Sequence, residues 1–292
     1  EPTPDPEPTP DPEPTPDPVN EELLNEETGS TQVGDPQQKT TDEGQEITSI
    51  EFMNENGVSV VVEVISDIPM QNTQTQNGSQ KTATVENEDG NSVDITSNVN
   101  KNATTQNTLE ITKDDGTIVK AEVQSKLLGT DTHVKADGSI ETKAQVSNDD
   151  GSGITVESLS NADGTTQNTI VTTFPDGTST TSNIVSNIPG TDTVIASDGG
   201  IVQTTPSITT NSGKEIKVVS SISASGQILT VATVIDPTTG ETKTVQVPQS
   251  EPGAVVNIRI DEVTGFLLIE TQTILGLTTV ELRNRRNNAL SF

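Results

Sequence analysis

The side chains best equipped for chemistry are few and far apart. The 292-residue sequence holds one His, His133, and no Cys, Trp or Tyr. Without Cys there is no thiolate nucleophile, no thiolate metal site and no disulfide framework. His133 lies in the polar run THVKA, which leads into the Asp137-Gly138 turn. No nucleophile elbow or phosphate loop accompanies it, so it reads as an exposed strand residue rather than a general base. Two acid pairs, Asp114-Asp115 and Asp149-Asp150, have the residue types of a glycosidase pair, yet each immediately precedes a glycine in a turn sequence. The turns KDDG, NDDG, NADG and PDG supply carboxylates and carbonyls that suit weak structural calcium, but none matches an EF-hand loop. No catalytic residue and no cofactor is therefore expected, and the chain is read as a non-enzyme.

One segment concentrates a different chemistry. Residues 251 to 292 hold Phe266, Leu267, Leu268, Ile269, Ile274, Leu275 and Leu277, with all four Arg of the chain: Arg259, Arg283, Arg285 and Arg286. The bland reading is a terminal cap with a solvated tail. The sharper one is a docking segment, in which apolar strands complete a neighbour's sheet while the RNRR tip meets an acidic body. On that reading the docking residues are Phe266, Leu267, Leu268, Ile269, Arg283, Arg285, Arg286 and Phe292. Deleting the segment is expected to abolish polymers and leave the upstream repeats folded.

The elements that position these residues are announced by glycine. From Gly44 onward, glycines recur with a period near 13, and Asp precedes Gly90, Gly116, Gly138, Gly164, Gly177 and Gly199. Asp-Gly supplies the positive φ that tight hairpins need. Between the turns, polar and apolar residues alternate with period two. After Gly57 one face reads Val58, Val60, Val62, Val64, and the opposite face carries Glu63 and Asp67. One side is covered and one is wet, the antiparallel pattern. In the third copy the inner face becomes Thr180, Ser182, Ile184, Ser186, which predicts a thin, hydroxyl-rich core.

A longer repeat overlies the short one. TTQNTLEITKDDGT at 104–117 returns as TTQNTIVTTFPDGT at 165–178, and GTDTHVKADGSI at 129–140 as GTDTVIASDGGI at 190–201, both offset by 61. The fold class is therefore all-β, a tandem array of antiparallel units of about 61 residues, arranged as an elongated sandwich or stacked sheets. Five turns per unit would reverse successive units in a simple meander. The IPG-type site at 188–190 is therefore read as a kink in a longer strand, leaving four strands per unit and letting strands switch sheets. A closed four-bladed propeller also fits the strand count.

The expected organisation has four parts. Residues 1–18 are three copies of EPTPDP, an extended spacer rising about 3.1 Å per residue. Residues 19–43 form an acidic polar linker with one helix-compatible fragment, EELLNEE. The β-repeat region occupies 44–250, and the cap or docking segment 251–292. Acidic Pro-Thr spacers of this kind resemble those that hold domains off bacterial cell surfaces or separate modules of secreted proteins. Acidic residues stand where an SH3-type ligand would carry basic ones.

Charge and composition narrow the partners. A net charge of -29 argues against nucleic acid, which requires Lys and Arg clusters. No apolar run is long enough to span a bilayer as a helix, and a transmembrane barrel lacks the Tyr and Trp for its girdles. Sugar stacking lacks the same residues, leaving only polar hydrogen bonding to a glycan. With no leader at Glu1, any secretion signal is expected to have been removed or to lie outside the sequence. These readings converge on an extracellular or cell-surface structural or adhesive β-repeat protein that partners itself or other surface proteins. The alternative is a non-catalytic binding module of a secreted enzyme, tethered by the same spacer.

Overall fold

The computed structural model describes residues 31–53, 57–209, 213–261 and 265–282. The Pro-rich repeat, the EELLNEE fragment and the RNRR tip lie outside them. Every regular element among the described residues is a strand, and the strands form two sheets.

The chain visits the sheets alternately. β1 (Thr31–Gln32), β2 (Gln37–Thr40), β3 (Glu46–Met53) and β4 (Ser59–Ser66) open the first sheet. The chain crosses to the second sheet for β5 (Gln71–Thr75), β6 (Gly78–Glu86), β7 (Ser92–Asn100), β8 (Thr105–Thr112) and β9 (Ile118–Ser125). It returns for β10 (Asp131–Val134), β11 (Ile140–Ser147), β12 (Gly153–Ser160), β13 (Thr166–Thr173) and β14 (Ser179–Ser186). The second sheet then receives β15 (Asp192–Ile195), β16 (Ile201–Thr204), β17 (Ile208–Thr209), β18 (Glu215–Ile222), β19 (Ile228–Ile235) and β20 (Thr242–Ser250). Finally β21 (Val255–Ile260), β22 (Leu267–Thr273) and β23 (Gly276–Leu282) extend the first sheet. Residues 31–40, linker by sequence, thus contribute β1 and β2, which pair with β3. They are too short and polar to carry a periodic signal.

Most of the central hairpins share one closure. At 113–117 the Lys113 N–H donates to the Thr117 carbonyl at 2.9 Å, the Gly116 N–H to the Lys113 carbonyl at 2.8 Å, and Asp115 Oδ1 accepts the Thr117 N–H at 2.8 Å. The same closure recurs at Asn148–Ser152, Asn161–Thr165 and Phe174–Thr178. Gly177 has φ +81 with open space around it, so its turn needs glycine for the backbone alone.

Four crossings, after Ser66, Ser125, Ser186 and Ser250, carry the chain between the sheets. The IPG-type site is one of them, and counting each bent strand once leaves four strands per unit. Buried hydroxyls hold the bends. Ser125 Oγ lies 2.8 Å from Thr130 Oγ1, which donates to the Leu127 carbonyl at 2.6 Å. Ser186, Thr191 and Ile188 repeat this at 2.8 and 2.7 Å. Both sheets have ends, so the strands form an open array and not a propeller.

The space between the sheets is thin and mixed. Ile170, Ile184, Val156 and Val218 are fully buried, and so are Ser158, Ser182, Thr132 and Asn168. Asn107 Nδ2 donates across the sandwich to Thr132 and Thr142 Oγ1, both at 2.9 Å. Asn168, 61 residues on, reaches Thr193 Oγ1 at 3.1 Å and Gln203 Oε1 at 2.6 Å. One unit earlier Thr48, paired with Val64 as Asn107 is with Val123, takes the place of Asn107, and Lys81 takes that of Thr142. Burial pushes the Lys81 ammonium below its ordinary range, against the pull of Glu46.

Candidate assembly surface

The chemistry-bearing residues do not converge on a catalytic centre among the described residues. His133 Nε2 lies 2.9 Å from Asp67 Oδ1, which also accepts from Gln45 Nε2 at 2.7 Å. Burial raises the Asp67 pKa, but the hydrogen bonds from His133 and Gln45 and the histidine's charge outweigh it and hold the carboxyl below its usual range. This pair fastens β10 to the end of β4. Asp114-Asp115 and Asp149-Asp150 sit in separate hairpin turns, where Asp115 and Asp150 each spend an oxygen on the N–H two residues ahead. The hydroxyls of Thr117 and Ser152, and after them these N–H groups, lower both carboxyls. No group of three His, Cys, Asp or Glu among the described residues is placed to hold a metal ion.

What does repeat is a joint. The last strand of each of the first three units pairs in parallel with the first strand of the unit two further on: β4 with β10, β9 with β15, β14 with β21. Equivalent residues meet each time, Ser66 with Val134, Ser125 with Ile195, Ser186 with Ile258. The residue after each serine then donates its N–H: Asp67 to Val134 at 2.9 Å, Lys126 to Ile195 at 2.9 Å, Asn187 to Ile258 at 2.8 Å. An aspartate reinforces two joints, Asp131 Oδ1 accepting the Glu63 N–H at 2.7 Å and Asp192 Oδ1 the Glu122 N–H at 3.0 Å. Burial raises both carboxyls above the usual range.

The candidate docking residues divide. Leu267 and Ile269 belong to the chain's own core, Leu268 is buried beside them, and Phe266 is half-buried. They seal the final strands of the first sheet and do not face a neighbour in this structure. Arg283, Arg285, Arg286 and Phe292 lie outside the described residues. Arg259 is committed internally, through Nε and Nη2 to Glu270 at 3.1 and 3.2 Å. The surface apolar groups are instead Ile274, 99% exposed, Leu275, 93%, and Leu277, 61%, at the β22–β23 turn. Beside them a cleft of about 310 Å³ is lined by Pro248, Pro252, Ala254, Thr271, Ile274 and Leu275 among others. Composition alone did not divide the segment into the side chains that stay inside and those that stay outside. The repeated Asn of TTQNT was the available signal for the buried amides.

No known family profile matches the sequence, and no curated protein matches it. Among solved structures the chain is similar to "Drosophila Plexin A in complex with Semaphorin 1b", at 7% identity over 88% of this chain and 87% of that one. The TM-score is 0.20, too low to carry an argument about fold or function.

No described helix is long and apolar enough to cross a membrane.

Proposed function

We propose that this chain is a non-catalytic structural or adhesive β-repeat protein of a bacterial cell exterior, serving as a stalk, fibre subunit or adhesin segment. The observation that supports it is the open two-sheet array, in which one parallel joint is used three times to add units along a line. Such an array gains length by repetition, the property a stalk requires. The acidic Pro-Thr run at 1–18 suits a spacer between the array and a surface. The two candidate acid pairs each spend an aspartate on a turn, and the single histidine is spent on a joint with Asp67, which supports a scaffold over an enzyme. The test is to label intact cells of the source organism with antibody against the array and to delete the coding segment. Surface labelling with lost adhesion or biofilm supports the reading. Labelling confined to the culture medium, with retention on an insoluble polysaccharide, would favour the tethered binding module.

A further inference from the structure

The joint that links units within the chain has one unfilled half at each end of the second sheet. Among the described residues, β20 has β19 as its sole partner and β5 has β6. β20 is the closing strand of its unit, as β4, β9 and β14 are of theirs. Like them it ends in a buried serine, Ser250. Each internal counterpart is covered by an opening strand, and β5 is an opening strand whose corresponding side is bare. The donor after the serine, Glu251 N–H, has no backbone acceptor among the described residues, whereas Asp67, Lys126 and Asn187 all have one. N–H groups two residues apart share a side of a strand, so Gln249 faces the open side with Glu251. Pro248, lacking an N–H, falls where the β19–β20 ladder is interrupted. β5, QNTQT, carries none of the lysine, proline or inward charge that protects exposed edges.

We infer that a second copy of this chain docks head to tail, its β5 adding in parallel to β20 and so reproducing between molecules the joint made three times within one. The inference deepens the fibre-subunit reading and rests on it. The occupant is fixed by continuity: at all three internal joints, two in the first sheet and one in the second, the strand that covers a closing strand is an opening strand from two units on. In the first sheet the same approach brings β23, with Ile274, Leu275 and Leu277 at its hairpin, toward the partner end that exposes Val33, Met53, Val58 and Val61. The short β1 and β2 are the part of that end best able to give way. A heterologous contact of this kind does not close and generates an open filament.

The register follows from the internal joints. Ile65 meets His133, Gln124 meets Val194 and Val185 meets Asn257. Aligning β5 with β10 through their partners Lys81 and Thr142 sets Thr73 opposite Gln249. Both are exposed, and the chain has no native Cys. Facing strand positions lie within disulfide reach. In the full-length chain, mild oxidation of the T73C/Q249C double variant is expected to give a ladder of covalent multimers. Each single variant is expected to stop at a dimer, and a mixture of the two singles to give the mixed dimer in excess of either like pair. Light scattering of the unmodified chain across concentration is the companion measurement. Growth in mass without mixed-dimer cross-linking overturns the β5–β20 joint and leaves a fibre reading standing on another contact. A constant monomer mass overturns head-to-tail docking altogether and leaves the single-copy stalk to be judged by cell labelling.

Discussion

Glycine serves two purposes in this chain, and the two fail differently. Gly177→Val forces a β-branched residue to positive φ in otherwise open space, so the expected loss is about 1 to 3 kcal/mol from the backbone alone. Gly78, with φ +144, is also pressed against the Val99 carbonyl oxygen, which a Cβ would strike. Gly78→Ala is therefore expected to cost more than Gly177→Val despite adding a smaller side chain, and urea midpoints of the two variants check the order. The buried amides offer an internal replicate. Asn107→Ala and Asn168→Ala each strip two donated hydrogen bonds from the space between the sheets, and each is expected to cost about 1 to 3 kcal/mol. Because the sites are copies 61 residues apart, their losses should agree closely. A neutral result at either would show that its amide does not bridge the sheets.

At the level of elements, the parallel joint carries a pH signature. Burial raises the Asp131 pKa in the folded state above its ordinary 3.8. Stability from a group shifted upward is present below the unfolded pKa and is lost as pH rises through the folded one. At neutral pH the charged, partly buried Asp131 is thus a liability beside Glu63, although it accepts the Glu63 N–H. Asp131→Asn keeps an acceptor and removes the charge. Its denaturation midpoint is expected above the parent's at pH 7, with the gap closing below pH 3.8. A gap that persists in acid would mean the charge is not the cause. The β22–β23 hairpin gives a different expectation: Leu275→Ser, at a side chain 93% exposed, should change stability by no more than about 0.5 kcal/mol while weakening association. Deleting 251–292 is a poor substitute, since it would also remove Leu267, Ile269 and Leu282 from the core.

Whole-molecule architecture was legible where the signal is local. Asp-Gly spacing and period-two alternation specify hairpins, and the proline and glycine at 188–190 betray a bend that a straight strand would not tolerate. The pairing of β4 with β10 was not legible. Parallel partners 68 residues apart, such as Val64 and Thr132, leave no short-range pattern in either segment. The inside-outside division of 266–277 was hidden for a related reason. Leu268 is buried although its neighbours Leu267 and Ile269 take the core face, so alternation alone misplaces it. Alternation between two sheets has a consequence at this scale. Every second unit lies in the same sheet, so an added molecule must engage both sheets to stay in register.

End-to-end growth through unfilled joints is the central claim, and electron micrographs of the full-length chain over a concentration series test it most directly. Ten strand positions lie side by side in the second sheet. At about 4.8 Å per strand they set a subunit repeat of about 50 Å along a filament. Filaments that lengthen with concentration and show that repeat are the expected result. Particles of one size, a single chain in mass at every concentration, would contradict it.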